Sequence, residues 1–397
     1  MSKITVLDAQ TAQSIAAGEV VERPASIVKE LLENALDAGA DRIQVRMEQG
    51  GIKLIQVIDN GHGMSHEDSI LAFADHATSK IQKIGDLDAI QSFGFRGEAL
   101  PTISAVSKVR LRTKTRDAEL GSFVEIEGGK LLRHELIAVN PGTYVEIRDV
   151  FYNTPARFKF LKQDKTEAAK VTEVVQEMAL SRPDVSFRLE NQGREILHTP
   201  GDNRLISAIY AVFGQDIAKQ MVPIMDGADS MIQASGFISL PEFSKKSRTW
   251  QLFYVNHRPI KSPILIRAVE DAYKSTMMVG KFPACILHIQ IPGNLVDVNV
   301  HPRKLEVRFW NESEVYKQIY HQVQNSLFSA LKPNQVEEDT HQEIEPEIVP
   351  TIVPKPKEFL HFNLDGYAKI QDAQETYTPA SEVEATTQPS QPTEQLT

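Results

Sequence analysis

From Pro24 to Gly39 the apolar residues Ile27, Val28, Leu31, Leu32 and Ala35 recur at the three- and four-residue spacing of one helix face. Glu30, Asn34 and Asp37 follow one another on a polar face. Pro24 suits a first helical position, where its missing N–H is no loss, and Gly39 suits the left-handed residue just past the end. The pattern predicts a bounded helix of about four turns. Beyond it the period changes from 3.6 to 2. Ile43, Val45 and Met47 alternate with polar residues, Gly50-Gly51 supplies a turn, and Ile52 to Ile58 is mostly apolar, so the stretch reads as a β-hairpin.

The hairpin ends in Asp59-Asn60-Gly61-His62-Gly63, where glycines let the backbone approach a ligand. Glu67 to Phe73 has a helical pattern, and Gly94 to Leu100 joins a glycine pair to a helix start. Strands are expected at Lys108–Thr113, Phe123–Ile126 and Thr143–Ile147, a helix from about Thr166 to Ser181, and a strand pair between Ser186 and His198. Near the N-terminus, Asp8 with Thr11 suggests a short capped helix. A composition shift at Thr199-Pro200-Gly201 marks a boundary. Past it, Leu252–Asn256, Pro263–Thr276 and Ala284–Ile291 read as a β-α-β unit, Val296 to Val300 as a further strand, and Asn311 with Glu314 as the cap of a helix to about Leu331.

The expected fold class is α+β, with domains at 1–203 and 204–331. Residues 332–397, rich in proline, glutamate, glutamine and threonine, are expected to stay disordered, because they hold too little apolar surface to offset the entropy of ordering. Phe359, Leu360 and Phe362 form an apolar island there, suited to docking.

Composition changes this picture little. The formal charge of −10 comes from the tail, since the segment from Pro333 onward holds 13 acidic and 3 basic residues. The body before it is balanced, so charge neither supports nor excludes a nucleic-acid partner. Cys285 is the one cysteine, which excludes an intrachain disulfide and a cysteine-rich metal site. With neither a secretion signal nor a run of about 20 apolar residues, the expectation is a soluble, cytoplasmic protein without membrane contact.

Candidate chemistry is more specific. A carboxylate and an amide one turn apart, Glu30 and Asn34, can activate a water and hold a hard cation side by side, although a solvated helix face carries the same residues. No Gly-x-x-x-x-Gly-Lys-Ser/Thr loop is present, so nucleotide chemistry needs another arrangement. Asp59-x-Gly61-x-Gly63, Gly94-x-x-Gly97-x-Ala99-Leu100 and Gly142-Thr143 offer one. A strand-end carboxylate accepts from an exocyclic amine, glycines admit a flat base, and a helix start receives phosphates. Lys159, Lys162 and Lys165 form the best local basic cluster, which also fits a solvated approach to a helix.

This ordered set resembles the GHKL (Bergerat) ATPases, the superfamily of DNA gyrase B, the ninety-kilodalton chaperones and histidine kinases. Within it the match to the MutL mismatch-repair family is close. It rests on IAAGEVVERPASIVKELLENALDAGA (Ile15 to Ala40), HATSKI (His76 to Ile81), GFRGEAL (Gly94 to Leu100), FYNTPARFKFL (Phe151 to Leu161) and VNVHPRKLEVRF (Val298 to Phe309), and spans about residues 1 to 331. The resemblance implies an α/β sandwich followed by a transducer-like domain whose β-α-β crossover is left-handed, against the general rule.

It also implies roles. Glu30 corresponds to the general base acting on the attacking water, Asn34 to the ligand of Mg2+, and Asp59 to the adenine reader, with Gly61, Gly63 and Thr143 shaping that end. Thr78, Ser79 and Lys80, with Gly94, Phe95, Arg96, Gly97, Glu98, Ala99 and Leu100, resemble the lid over the phosphates. Lys304 is similar to the lysine that reaches the γ-phosphate from the second domain, and Ile4 to Val21 to the segment that orders over a neighbouring protomer. The implied function is an ATP-driven switch of mismatch repair. ATP closes an N-terminal dimer on DNA, slow hydrolysis resets it, and partners include MutS and downstream repair factors.

Double- and single-stranded DNA would be held by backbone phosphate, with Lys159, Lys162 and Arg258 as candidates. Proline and serine at Lys261-Ser262-Pro263 make that grip weaker than the family pattern or place it elsewhere. No Asp-Gln-His-Ala motif is present, so no endonuclease is assigned, and the tail composition favours a linker cut midway in a longer protein. A nucleotide-gated scaffold with incidental turnover is the alternative. A histidine kinase is disfavoured, since no phospho-acceptor helix precedes the ATP-binding region.

Overall fold

A computed structural model describes residues 21–75, 77–78, 97–225, 232–297 and 307–331. The first helix forms where the apolar stripe predicts it. α1 (Pro24–Asp37) buries Ile27, Val28, Leu31, Leu32, Ala35 and Leu36, and Gly39 beyond it has φ +70°. The chain then builds β1 (Arg42–Glu48), β2 (Leu54–Asp59), the short α2 (His66–Leu71), α3 (Ala99–Ala105), β3 (Lys108–Lys114), β4 (Gly121–Glu127), β5 (Lys130–Ile137) and β6 (Gly142–Arg148). After the turn α4 (Pro155–Phe158) come α5 (Asp164–Ser181), β7 (Ser186–Asn191) and β8 (Arg194–His198).

These strands make one eight-stranded sheet in the order β5-β4-β3-β6-β2-β1-β7-β8, antiparallel except for the β1/β7 pair. Alternation assigns its two faces. Ile43, Val45, Met47, Ile55, Val57, Val145 and Leu111 belong to the apolar core shared with α1 and α5. Residues of the other phase run across the strands as a paired polar stripe. Arg46 meets Glu190 at 2.9 Å, Gln56 donates to Glu146 over 2.8 Å, and Arg110 donates to Glu125 over 2.8 Å.

The second half comprises α6 (Leu205–Phe213), α7 (Gln215–Ala218), β9 (Met221–Pro223), β10 (Gln233–Ser239), β11 (Ser244–Lys245), β12 (Gln251–Val255), β13 (Arg258–Ile260), α8 (Pro263–Ala272), β14 (Phe282–Pro283), β15 (Cys285–Gln290), β16 (Val296–Asp297), β17 (Arg308–Phe309) and α9 (Glu312–Leu331). Its five-stranded sheet runs β13-β12-β15-β10-β9, with β12 and β15 parallel, so the expected β-α-β unit is present. Asn311 Oδ1 accepts from the Glu314 amide at 3.1 Å, which caps α9 as the sequence suggests. α8 and α9 pack together over this sheet. A third cluster, with Leu180 from the end of α5, Ala208 and Ile209 from α6, and Tyr254 and Ile286 from the second sheet, fills the space between the halves.

Several expectations change. β5 was not expected, and neither were α6 and β10. The helix expected over Pro263–Thr276 ends at Ala272. The Asp8 helix, the tail and most of Val298–Phe309 lie outside the described residues.

Candidate nucleotide site

The site grows from the end of β2 and the end of α1. Asp59 is the last residue of β2, in register with Ile43 on one side and Thr143 on the other. It is 6% exposed and shares the inward phase of Ile55 and Val57. Gly61 donates its amide to Asp59 Oδ1 over 2.9 Å, which folds the chain back on the carboxylate. Burial pushes the Asp59 pKa up to about 6, against the pull of the Gly61 amide, His62 and the Thr143 amide. Two amides leave the carboxylate with acceptor capacity.

The glycine loop is tied down on both sides. The His62 amide donates to Ala38 O at 3.0 Å, joining it to the end of α1. Asn60 Oδ1 accepts the Asp41 and Arg42 amides, each at 3.0 Å. Thr113 Oγ1 accepts the Met64 amide at 2.9 Å, donates to Gly142 O at 3.0 Å and lies 3.2 Å from Thr143 Oγ1. A Cβ at Gly63 would sit 2.1 Å from Lys114 O, and one at Gly61 would sit 2.8 Å from Ala38 O. Backbone here packs on backbone, and only glycine fits.

Glu30 and Asn34 lie half-buried on α1, the helix whose end holds this loop. Gly97, with φ +63°, is where the segment before α3 touches the strip ahead of the undescribed stretch, for a Cβ there would meet Ala77 O at 2.5 Å. Thr78 is exposed beside it, and Glu98, Ala99 and Leu100 open α3. Ser79, Lys80, Gly94, Phe95, Arg96 and Lys304 lie outside the described residues. Among the described residues no cluster of three or more His, Cys, Asp or Glu side chains could hold a metal, and no helix is long and apolar enough to cross a membrane.

Lys159 and Lys162 are exposed. Arg258 corrects an expectation, because it is 7% exposed rather than a surface cation and so cannot offer an open phosphate grip. Burial lowers its pKa while Glu33 and Asp37 raise it, so its charge is answered from α1. Thr113 was missed as a site residue. Its signal is phase, since Val109 and Leu111 precede it on the inward face of β3.

The fold is that of a GHKL ATPase. Residues 22–141 match the family described as histidine kinase-, DNA gyrase B-, and HSP90-like ATPase, and residues 209–328 the family described as DNA mismatch repair protein, C-terminal domain. The chain belongs to the MutL family of DNA mismatch repair proteins. It is 46% identical over 327 residues to DNA mismatch repair protein MutL of Desulforamulus reducens, covering 82% of this chain and 51% of that one. The chain thus spans about half the length of the curated relatives it matches. Among solved structures it is similar to the N-terminal domain of a DNA repair protein, at 26% identity and TM-score 0.67, covering 80% of this chain and 98% of that one. It is also similar to the Aquifex aeolicus MutL ATPase domain complexed with ADP, at 28% identity and TM-score 0.52, covering 76% and 98%.

Proposed function

We propose that the chain binds ATP with Mg2+ and hydrolyses it as the switch of a mismatch-repair protein. The carrying observation is Asp59, a buried carboxylate with spare acceptor capacity beside a loop that only glycine can occupy. ADP in the similar Aquifex aeolicus domain supports the same reading. Adenine's exocyclic amine fits Asp59, and Thr143 and Gly63 border that end. Mg2+ bound with the nucleotide would offset phosphate charge. Asn34 would hold it by one oxygen, which suits an ion that keeps its waters and phosphate ligands.

Glu30, on the same face of α1, takes the proton of the attacking water. Thr78 to Lys80 and Gly94 to Leu100 cover the phosphates, and Lys304 reaches them from a second domain at 204–331, after an ATPase domain at 1–203 and before a linker at 332–397. ATP closes a dimer through residues 4–21 around DNA, hydrolysis reopens it, and Lys159 and Lys162 meet backbone phosphate. MutS and downstream repair factors are the expected partners, in the reducing cytoplasm and on the nucleoid during repair. Glu30→Ala tests the reading: the variant keeps ADP binding and nucleotide-dependent dimerisation, and phosphate release stops. Unchanged phosphate release from that variant would refute the assigned base.

A further inference from the structure

Arg258 follows a two-residue turn at Asn256 and His257, both in the left-handed region at φ +48° and +66°. Val255 and Arg258 face each other across it, the pattern of a tight type I′ hairpin. Both sides of the tip are pinned. Asn256 Nδ2 donates to Ile291 O at 2.9 Å, and Asn256 Oδ1 accepts the Ile291 amide at 3.1 Å. On the other side Ser181 Oγ, at the end of α5, donates to His257 O. His288 Nε2 lies 2.9 Å from Leu180 O, a second tie between the second sheet and the same helix end.

The hairpin therefore holds Arg258 at a fixed place where β13 packs on α5, the helix that also packs on α1. Its side chain is buried there, and Glu33 and Asp37 of α1 are the acidic groups acting on it. Glu33 is itself 5% exposed, with Lys29 Nζ 3.7 Å away. Residues 30, 33, 34 and 37 share one face of a helix, in two adjacent rows of i,i+4 pairs. One row is Glu30 and Asn34; the other is Glu33 and Asp37.

We propose that Arg258 is a positioning residue for ATP hydrolysis, holding the Glu33–Asp37 row of α1 from the second sheet and so fixing the direction of the Glu30–Asn34 row beside it. The inference rests on the ATPase reading above. A buried arginine suits the task, because its rigid fork fixes direction as well as charge.

The experiment compares phosphate release with Mg2+, and ADP binding without it, for the full chain and for Arg258→Met, Arg258→Lys, Glu33→Gln and the Arg258→Met/Glu33→Gln pair. Arg258→Met lowers kcat roughly tenfold to a hundredfold, since small misplacements of reacting groups cost that much. Its affinity for ADP without Mg2+ stays within about threefold, because the base end at Asp59 does not depend on Asn34. Arg258→Lys recovers part of the loss. Glu33→Gln alone lowers kcat, and the pair is no worse than Arg258→Met, as for residues acting on one contact. Where Arg258→Met does not fold, the same cycle with Arg258→Lys decides. Unchanged kcat, additive losses, or ADP affinity and melting temperature falling together with kcat overturn the proposal. A wild-type chain that binds ADP but releases no phosphate overturns the ATPase reading instead, and the inference with it.

Discussion

The Gly61 amide donates to Asp59 Oδ1 over 2.9 Å, so the carboxylate at the end of β2 is held by the loop it would share with a ligand. An exocyclic amine is held more strongly by the ionised carboxylate, through a charge-assisted bond, than by the neutral acid. Since burial raises the Asp59 pKa to about 6, nucleotide affinity falls on acidification through that value, by up to about tenfold per pH unit. Titration calorimetry with ADP between pH 8 and 5 measures the slope. Asp59→Asn, which has no charge to lose, should bind weakly at every pH in that range.

Gly142 has φ +115°, and a Cβ there would lie 2.2 Å from Asp59 O. Gly142→Ala must push the end of β2 away, losing stability and ADP binding together. Gly193 is the control, with φ +75° and nothing within 4 Å of an added Cβ. Gly193→Ala costs only the left-handed backbone penalty, about 1 kcal/mol, and leaves ADP affinity unchanged. Equal effects from the two alanines would mean that Gly142 is not a point of close approach.

On the polar face Glu146, 5% exposed, accepts from Gln56 Nε2 at 2.8 Å, Tyr144 Oη at 2.8 Å and Arg148 Nε at 2.7 Å. Burial opposes its charge, but these three donors hold its pKa below the ordinary carboxylate value. Glu146→Ala strands two buried donors and costs about 2–4 kcal/mol in urea unfolding. Its penalty is full at neutral pH and shrinks as the wild type is acidified below the ordinary carboxylate range, because the lowered pKa makes the contribution vanish there.

The sequence made α1 legible because all its signals are local: an apolar stripe, a proline at the start and a glycine at the end. β5 was hidden because KLLRHELI does not alternate and lies on an edge, with Leu131, Leu132 and Leu136 all exposed. α6 was hidden for the opposite reason, since LISAIYAVF is apolar nearly all round and shows no clear period. Spacing and resemblance offer Glu30, Asn34 and Asp59 as candidates, and they lie on α1 and at the end of β2. The tie from Thr113 to the glycine loop and the burial of Arg258 are not legible in the sequence, because one depends on register across three strands and the other on packing between halves of the chain. A charged residue after a turn reads as surface, and only the fold reverses that.

Asp59 and His288 should oppose each other in the pH dependence of stability. The folded pKa of Asp59, about 6, exceeds the ordinary 3.8, so its buried charge penalises the fold above pH 6 and the penalty fades toward pH 4. Burial lowers His288 from 6.5 to about 4. Between those values the unfolded chain takes a proton that the fold refuses, so stability is lost as pH falls through the same window. Each shift is worth about 3 kcal/mol at 1.36 kcal/mol per unit, with opposite signs. The pair therefore cancels in the wild type and is exposed by single changes. From pH 6.5 to 4.5, His288→Gln gains melting temperature relative to wild type and Asp59→Asn loses it, whatever the other titrating groups contribute. Parallel melting curves for all three proteins across that range would show that neither group is held as the structure has it.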